Sequence, residues 1–201
     1  MKSIFSVFLL LSFLCLPLLG CVELNRQRPP EGLYIDAYYG DPEAEFKLAA
    51  IYSRGEGVPR NDEEALRWFT RAALRGIPEA EYNVGLMHAK GLGVERNVVE
   101  AIRWYRLATE EGFAPAQTNL GVAYLEGRGI SKDETEALRW SRLAADQAEV
   151  RAQYNLGVIF IQGRIVERDE AEARRWFRRA AAQGLPEARE ILRRLGEGKD
   201  L

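Results

Sequence analysis

His88 is the single histidine in a chain of 201 residues, and both cysteines, Cys15 and Cys21, stand at its start. General acid–base and metal chemistry lean on imidazole, and nucleophilic chemistry on a thiol or a Ser–His pair. The body of this chain has one imidazole and no thiol. His88 shares a repeating position with Tyr52, Tyr124 and Phe160, with no readable Asp, Glu or Ser motif around it. It is therefore expected to pack there and not to serve as base or ligand. The pairs Gly55/Gly57, Gly91/Gly93 and Gly127/Gly129 have the Gly-x-Gly form of a phosphate loop. Each closes a helical pattern instead of opening a helix after a strand, so they read as turn-makers. Lys+Arg 28 against Asp+Glu 30 leaves a net charge of −2, and no basic excess points to nucleic acid. A chain 47% hydrophobic and 29% charged is apolar enough to fold. No catalytic residue, metal or cofactor is expected. An envelope hydrolase acting on cell-wall or β-lactam substrates is the alternative reading, and a secreted or surface factor engaging a host protein is another.

One residue does carry a chemical expectation, and its setting is the N-terminus. Lys2 precedes an almost unbroken apolar run from Ile4 to Leu19, 16 residues, about 24 Å as a helix and shorter than the roughly 30 Å hydrocarbon core. It reads as a secretory leader over 1–20. The run ends Leu18-Leu19-Gly20-Cys21, which resembles the lipobox of bacterial lipoproteins. That resemblance implies cleavage before Cys21, a diacylglycerol on its sulfur and an acyl chain on its amine. Three chains suffice for stable anchoring. Val22 follows where an Asp would signal inner-membrane retention, so the resemblance favours the periplasmic side of the outer membrane. Residues 21–40 contain Pro29-Pro30 and no helical apolar period, and are expected to form the lipidated N-terminus and a tether. Tyr34, Ile35, Tyr38 and Tyr39 are candidates to pack on the folded body as a cap.

The elements that must position any site come from a repeat. Four blocks, 41–76, 77–112, 113–148 and 149–184, align without a gap at a period of 36 residues. One position holds Trp68, Trp104, Trp140 and Trp176; others hold Gly55, Gly91, Gly127 and Gly163, or Ala65, Ala101, Ala137 and Ala173. Such self-similarity marks a stack of units, none of which buries its apolar face alone. Within a block the spacing predicts a first helix over about 42–54, a glycine turn, and a second helix. The second helix is capped by Asn61, Asn97, Asp133 or Asp169, with Glu64, Glu100, Glu136 or Glu172 three residues on. Gly76, Gly112 and Gly184 end it, with Ala148 in their place in block three. The half-block 185–201 comes last, as a C-terminal cap and tail.

These residues resemble the Sel-1-like repeat, a relative of the tetratricopeptide repeat. The departures are Ile165 for the second loop glycine, Ser141 for the aromatic after Trp140, and His88. The resemblance implies an all-α, right-handed α-solenoid of antiparallel helix pairs that binds another protein, often in the bacterial envelope. The expected partner is an envelope protein or peptide. Helical spacing along the first helices selects the exposed stripe. It holds Lys47, Ala50 and Arg54; Asn83, Leu86 and Lys90; Asn119, Val122 and Glu126; Asn155, Val158 and Gln162. The asparagines form a ladder that either hydrogen-bonds an extended peptide or bonds a neighbouring helix and holds the repeats in register. Tyr82, Tyr154 and Phe46 are expected to pack between repeats, with a partner-facing role as the alternative. The chain is expected to be a monomer, with self-association through the half-block left open.

Overall fold

The structure, a computed structural model, describes residues 28–196. Within them ten helices succeed one another: α1 (Glu31–Tyr38), α2 (Pro42–Arg54), α3 (Asp62–Ala73), α4 (Pro78–Lys90), α5 (Val98–Glu110), α6 (Ala114–Glu126), α7 (Glu134–Asp146), α8 (Val150–Gln162), α9 (Glu170–Ala182) and α10 (Pro186–Gly196). The described residues contain no strand. The leader 1–20, Cys21 and the tail 197–201 lie outside the described residues.

Local chemistry sets these boundaries. The side chains of Asn61, Asn97, Asp133 and Asp169 each accept from the amide three residues on, at 2.9–3.0 Å. This satisfies one of the orphan donors at each helix start. At the far end of α2, α4, α6 and α8, Gly55, Gly91, Gly127 and Gly163 all take the left-handed conformation. The backbone N–H of Asn61, Asn97, Asp133 or Asp169 then donates to the carbonyl of Tyr52, His88, Tyr124 or Phe160 respectively, closing each loop. A Glu–Arg pair three residues apart forms in all four second helices, as Glu64–Arg67, Glu100–Arg103, Glu136–Arg139 and Glu172–Arg175.

Successive helices pack in sequence, α2 on α3, α3 on α4, and so to α10. The core runs the length of the stack. Leu48, Trp68 and Phe69 of one repeat share a cluster with Val84 and Met87 of the next. Phe177 and Ala180 likewise share one with Ala188 and Leu195. The tryptophan position is not uniform: Trp68 and Trp176 are buried, whereas Trp104 and Trp140 are half-buried. The second loop glycine does more than turn the chain. A Cβ on Gly93 would collide with the carbonyl of Asp62 in the preceding repeat, so the missing side chain lets one repeat's loop seat on the helix start of the repeat before it. Where Ile165 replaces this glycine, its side chain joins the cluster of Leu156 and Trp176.

The stretch read as a tether departs from expectation: residues 31–38 are helix α1. Gly40 and Pro42 stand 36 residues before Gly76 and Pro78, so α1 occupies the place of the closing half of a second helix one repeat earlier. Its Ala37 is fully buried, and Tyr34 meets the Trp68 ring edge-on at 6.1 Å. Arg71 fastens this cap. Its guanidinium donates to the Ala37 and Tyr38 carbonyls that end α1, lies over the Trp68 ring at 4.6 Å, and pairs at 2.8 Å with the fully buried Glu45 carboxylate.

Ala148 alone among the described non-glycine residues has positive φ, at 63°. The four equivalent positions, Gly40, Gly76, Gly112 and Gly184, are glycines with φ between 76° and 98°. Left-handed backbone costs an alanine about 1 kcal/mol, part of which glycine returns through its freer unfolded chain. Ala148→Gly is therefore expected to stabilise by about 0.5 kcal/mol, read as a raised urea midpoint at unchanged slope. A lowered midpoint would show that the turn carries no strain.

Candidate functional site

The residues of the exposed stripe fall at the same helical positions on α2, α4, α6 and α8. Lys47, Arg54, Lys90, Glu126 and Gln162 are exposed, and Ala50, Leu86, Val122 and Val158 form a half-buried apolar row between polar margins. Several of the charges are engaged locally: Arg54 with Glu56 at 2.8 Å, Glu126 with Arg128 at 2.5 Å, and Lys47 with Glu43 at 3.9 Å. These are exposed pairs of little energetic weight, open to exchange for a partner's charges.

The asparagine ladder is one row in sequence and three environments in space. Asn83 Nδ2 donates to the Glu79 carbonyl of its own helix at 2.6 Å. Asn119 stands against the Tyr82 and Tyr105 hydroxyls and favours their charged forms. Burial acts the other way and pushes Tyr105 up to about 12. Asn155 faces no such tyrosines, because the repeat register replaces them with Thr118 and Ser141, and its side chain has no hydrogen-bond partner among the described residues. Contact with a neighbouring repeat therefore describes Asn119, whereas Asn83 bonds within its own helix.

Behind the stripe lie aromatic pairs that fix helix to helix: Phe46–Phe69 at 5.6 Å, Tyr82–Tyr105 at 5.9 Å and Tyr154–Phe177 at 5.6 Å. Tyr82 also meets Phe113 of the next repeat at 5.4 Å. These rings pack, as their spacing suggested. The third repeat has buried Thr118 and Ser141 instead, and Thr118 Oγ1 donates to Glu149 Oε2 at 2.9 Å, a carboxylate that also caps α8.

A second polar row was not singled out from the sequence. Glu45, Glu81, Gln117 and Gln153 occupy one position near the start of the first helices, and all four are buried. Each meets the end of the second helix of its own repeat, with the same Gln–Gln pair in the third and fourth repeats and a different neighbour in each of the first two. Glu45 pairs with Arg71. Gln117 accepts from Gln147 Nε2 at 2.9 Å, and Gln153 from Gln183 Nε2 at 3.0 Å. Glu81 meets carboxylates: burial first, then the negative charges of Glu110 and Glu111, push its pKa up to about 7, and its Oε2 has no hydrogen-bond partner. A column reading Glu, Glu, Gln, Gln has no apolar period to draw attention, and only the clasping residue gives each its meaning.

His88 is half-buried with an unpartnered Nδ1, on the same row as Tyr124. Among the described residues no group of three or more His, Cys, Asp and Glu side chains is placed to hold a metal ion. Nor is any helix among them long and apolar enough to cross a membrane.

The Sel1 repeat family model matches residues 42–77, 78–113, 114–149 and 150–185. Its frame starts one residue after the blocks read from the sequence. Among solved structures, c5321 of uropathogenic Escherichia coli, described as a protective antigen displaying an SLR fold, is similar at 37% identity and a TM-score of 0.75, over 79% of this chain and 34% of that one. A Sel1 repeat protein from Oxalobacter formigenes is similar at 37% identity and a TM-score of 0.72, over 76% of this chain and 61% of its own. Helicobacter pylori cysteine rich protein B, at 20% identity and a TM-score of 0.54 over 65% of this chain and 96% of its own, shares the fold. The chain thus spans about a third of the first relative and about three-fifths of the second. Among curated proteins none matches. With four matched units in tandem, all of them seen as helix pairs stacked in register, the chain belongs to the Sel1-repeat family.

Proposed function

We propose that this chain is a lipid-anchored scaffold of the bacterial envelope, held through Cys21 at the periplasmic side of the outer membrane. On this reading it docks a partner protein or peptide on the face formed by α2, α4, α6 and α8. Sel1-repeat proteins are in general protein-interaction scaffolds. The observation that carries the reading for this chain is the stripe itself: a half-buried apolar row, Leu86, Val122 and Val158, beside Lys90, Gln162 and the unpartnered amide of Asn155. An extended peptide laid along it would place apolar side chains on that row and backbone groups against the polar margin.

Photo-crosslinking in cells tests this directly. Probes at Lys90 and Asn155 are expected to capture the same few envelope proteins. A probe at Arg139, paired with Glu136 on α7, captures none of them. Equal capture at all three positions would remove the stripe as the binding face. The anchor has its own test. Cys21→Ser is expected to move the protein from the membrane fraction to the soluble one, and its persistence on membranes would mean that an uncleaved leader holds it.

A further inference from the structure

The two ends of the stack are finished differently. At the C-terminal end, α10 buries Ala188 and Leu195 and presents Arg189, Glu190 and Arg193 outward. Arg174 Nη2 donates to the Leu195 carbonyl across it at 2.8 Å. A terminal unit needs such a polar outer face, because no further repeat covers it. The N-terminal end breaks this rule. Helix α1 turns Leu33 and Ala37 onto the first repeat, and its remaining large side chains face outward: Tyr34 is 40% exposed, Ile35 45%, Tyr38 63% and Tyr39 83%. Tyr38 and Tyr39 stack edge to face at 5.6 Å. Contiguous apolar surface of this kind marks a face that something covers.

We infer that the exposed tyrosine face of α1 seats in the interfacial layer of the bilayer that carries the Cys21 anchor. The inference rests on the lipid-anchor reading above. Arg28, the first described residue, is seven residues from Cys21. That length of chain spans at most about 25 Å, so α1, the first of the described helices, lies within that reach of the anchor. Tyrosine suits that layer, with an apolar ring and a hydroxyl that stays wet. The layer also demands no matching pocket; Tyr34 and Ile35 border a concavity with Ile51 and Tyr52, and Tyr38 and Tyr39, the most exposed of the four, lie outside its lining. Seated this way, α1 would point the stack away from the membrane and leave α2, α4, α6 and α8 open to the compartment.

Hydroxyl-radical footprinting read by mass spectrometry tests the contact without altering the patch. The acylated chain, purified from bacterial membranes and reconstituted in vesicles of phosphatidylethanolamine and phosphatidylglycerol, is compared with the Cys21→Ser chain free in solution. Oxidation of Tyr38 and Tyr39 is expected to slow several-fold on vesicles while that of Tyr124 stays unchanged. Equal rates at Tyr38 and Tyr39 in both states, on a chain shown to be acylated, would overturn the inference and leave the anchor standing. Protection already present in the soluble chain would also overturn it: independent of concentration it would mean that the chain's own residues cover the patch, and rising with concentration, a second copy. A chain purified without acyl groups would fail the anchor reading instead. Coupling the Cys21 thiol to a maleimide lipid then poses the same question of the patch, with the same two answers.

Discussion

Trp68→Ala is expected to destabilise the protein by about 3–5 kcal/mol, the range for emptying a fully packed large aromatic site. Trp68 is 1% exposed, and its ring is a hub: Tyr34 of the N-terminal cap meets its edge, Arg71 and Arg67 lie over it, and its Nε1 donates to Glu64 at 3.1 Å. A cavity here loosens α1 and α3 together, because Arg71 holds the end of α1 only while stacked on the indole. The same substitution at half-buried Trp104 is expected to cost about half as much, since less apolar area returns to water. Urea unfolding of both variants decides the matter. A loss below about 1 kcal/mol for Trp68→Ala would show that the cap and first repeat are not packed as described. Because stacked repeats are stabilised chiefly by nearest neighbours, hydrogen exchange should rise in 31–73 and stay near wild type in 150–196.

Glu81→Gln is expected to stabilise, and only where the wild-type carboxylate is charged. Burial, with Glu110 and Glu111 nearby, raises the Glu81 pKa from 4.5 in the unfolded chain to about 7 in the folded one. Between these values the folded protein keeps a proton that the unfolded chain has released, so stability falls as pH rises through the window and the loss is complete above it. A shift of this size corresponds to about 3 kcal/mol. At pH 8 the glutamine variant should therefore melt about 5–10 °C higher than wild type. Near pH 4.5 the two should coincide. An advantage equal at both pH values would mean that the glutamine gains by hydrogen bonding alone and that Glu81 is not held neutral.

Helix type and boundaries were legible because every 36-residue unit writes them in local chemistry. A capping Asn or Asp, a left-handed glycine and a Trp-Ala apolar face act over one or two turns and leave a mark at fixed spacing. Helix α1 was not read for a reason equally local. Its apolar residues lie on nearly all sides, so no helical period shows, and Pro29-Pro30 suggested a linker. The Gly40-x-Pro42 echo of Gly76-x-Pro78 was the available signal. The candidate stripe was legible as a set of positions but not as a set of environments. Asn83, Asn119 and Asn155 are identical letters at identical register, and what separates them is a pair of tyrosines in one neighbour against Thr118 and Ser141 in the next. Such differences arise between elements, where a pattern read along the chain has no access.

The buried polar contacts at the start of the first helices, unlike in the first three repeats and alike in the third and fourth, bear on how this chain finds its fold. Units that share their tryptophan, alanine and glycine positions invite a first helix to settle on the second helix of the wrong unit, the characteristic misassembly of tandem repeats. An exchange between the first and third units would set Glu45 against Gln147 and leave Arg71 facing Gln117, stranding a buried carboxylate without its cation. Such a mismatch is expensive in a dry interior. The apolar face says only that a helix must stack, whereas the clasp tells one helix which neighbour is its own. The polar residues buried in this core thus label otherwise interchangeable parts, and they protect the order of assembly more than the strength of the finished stack.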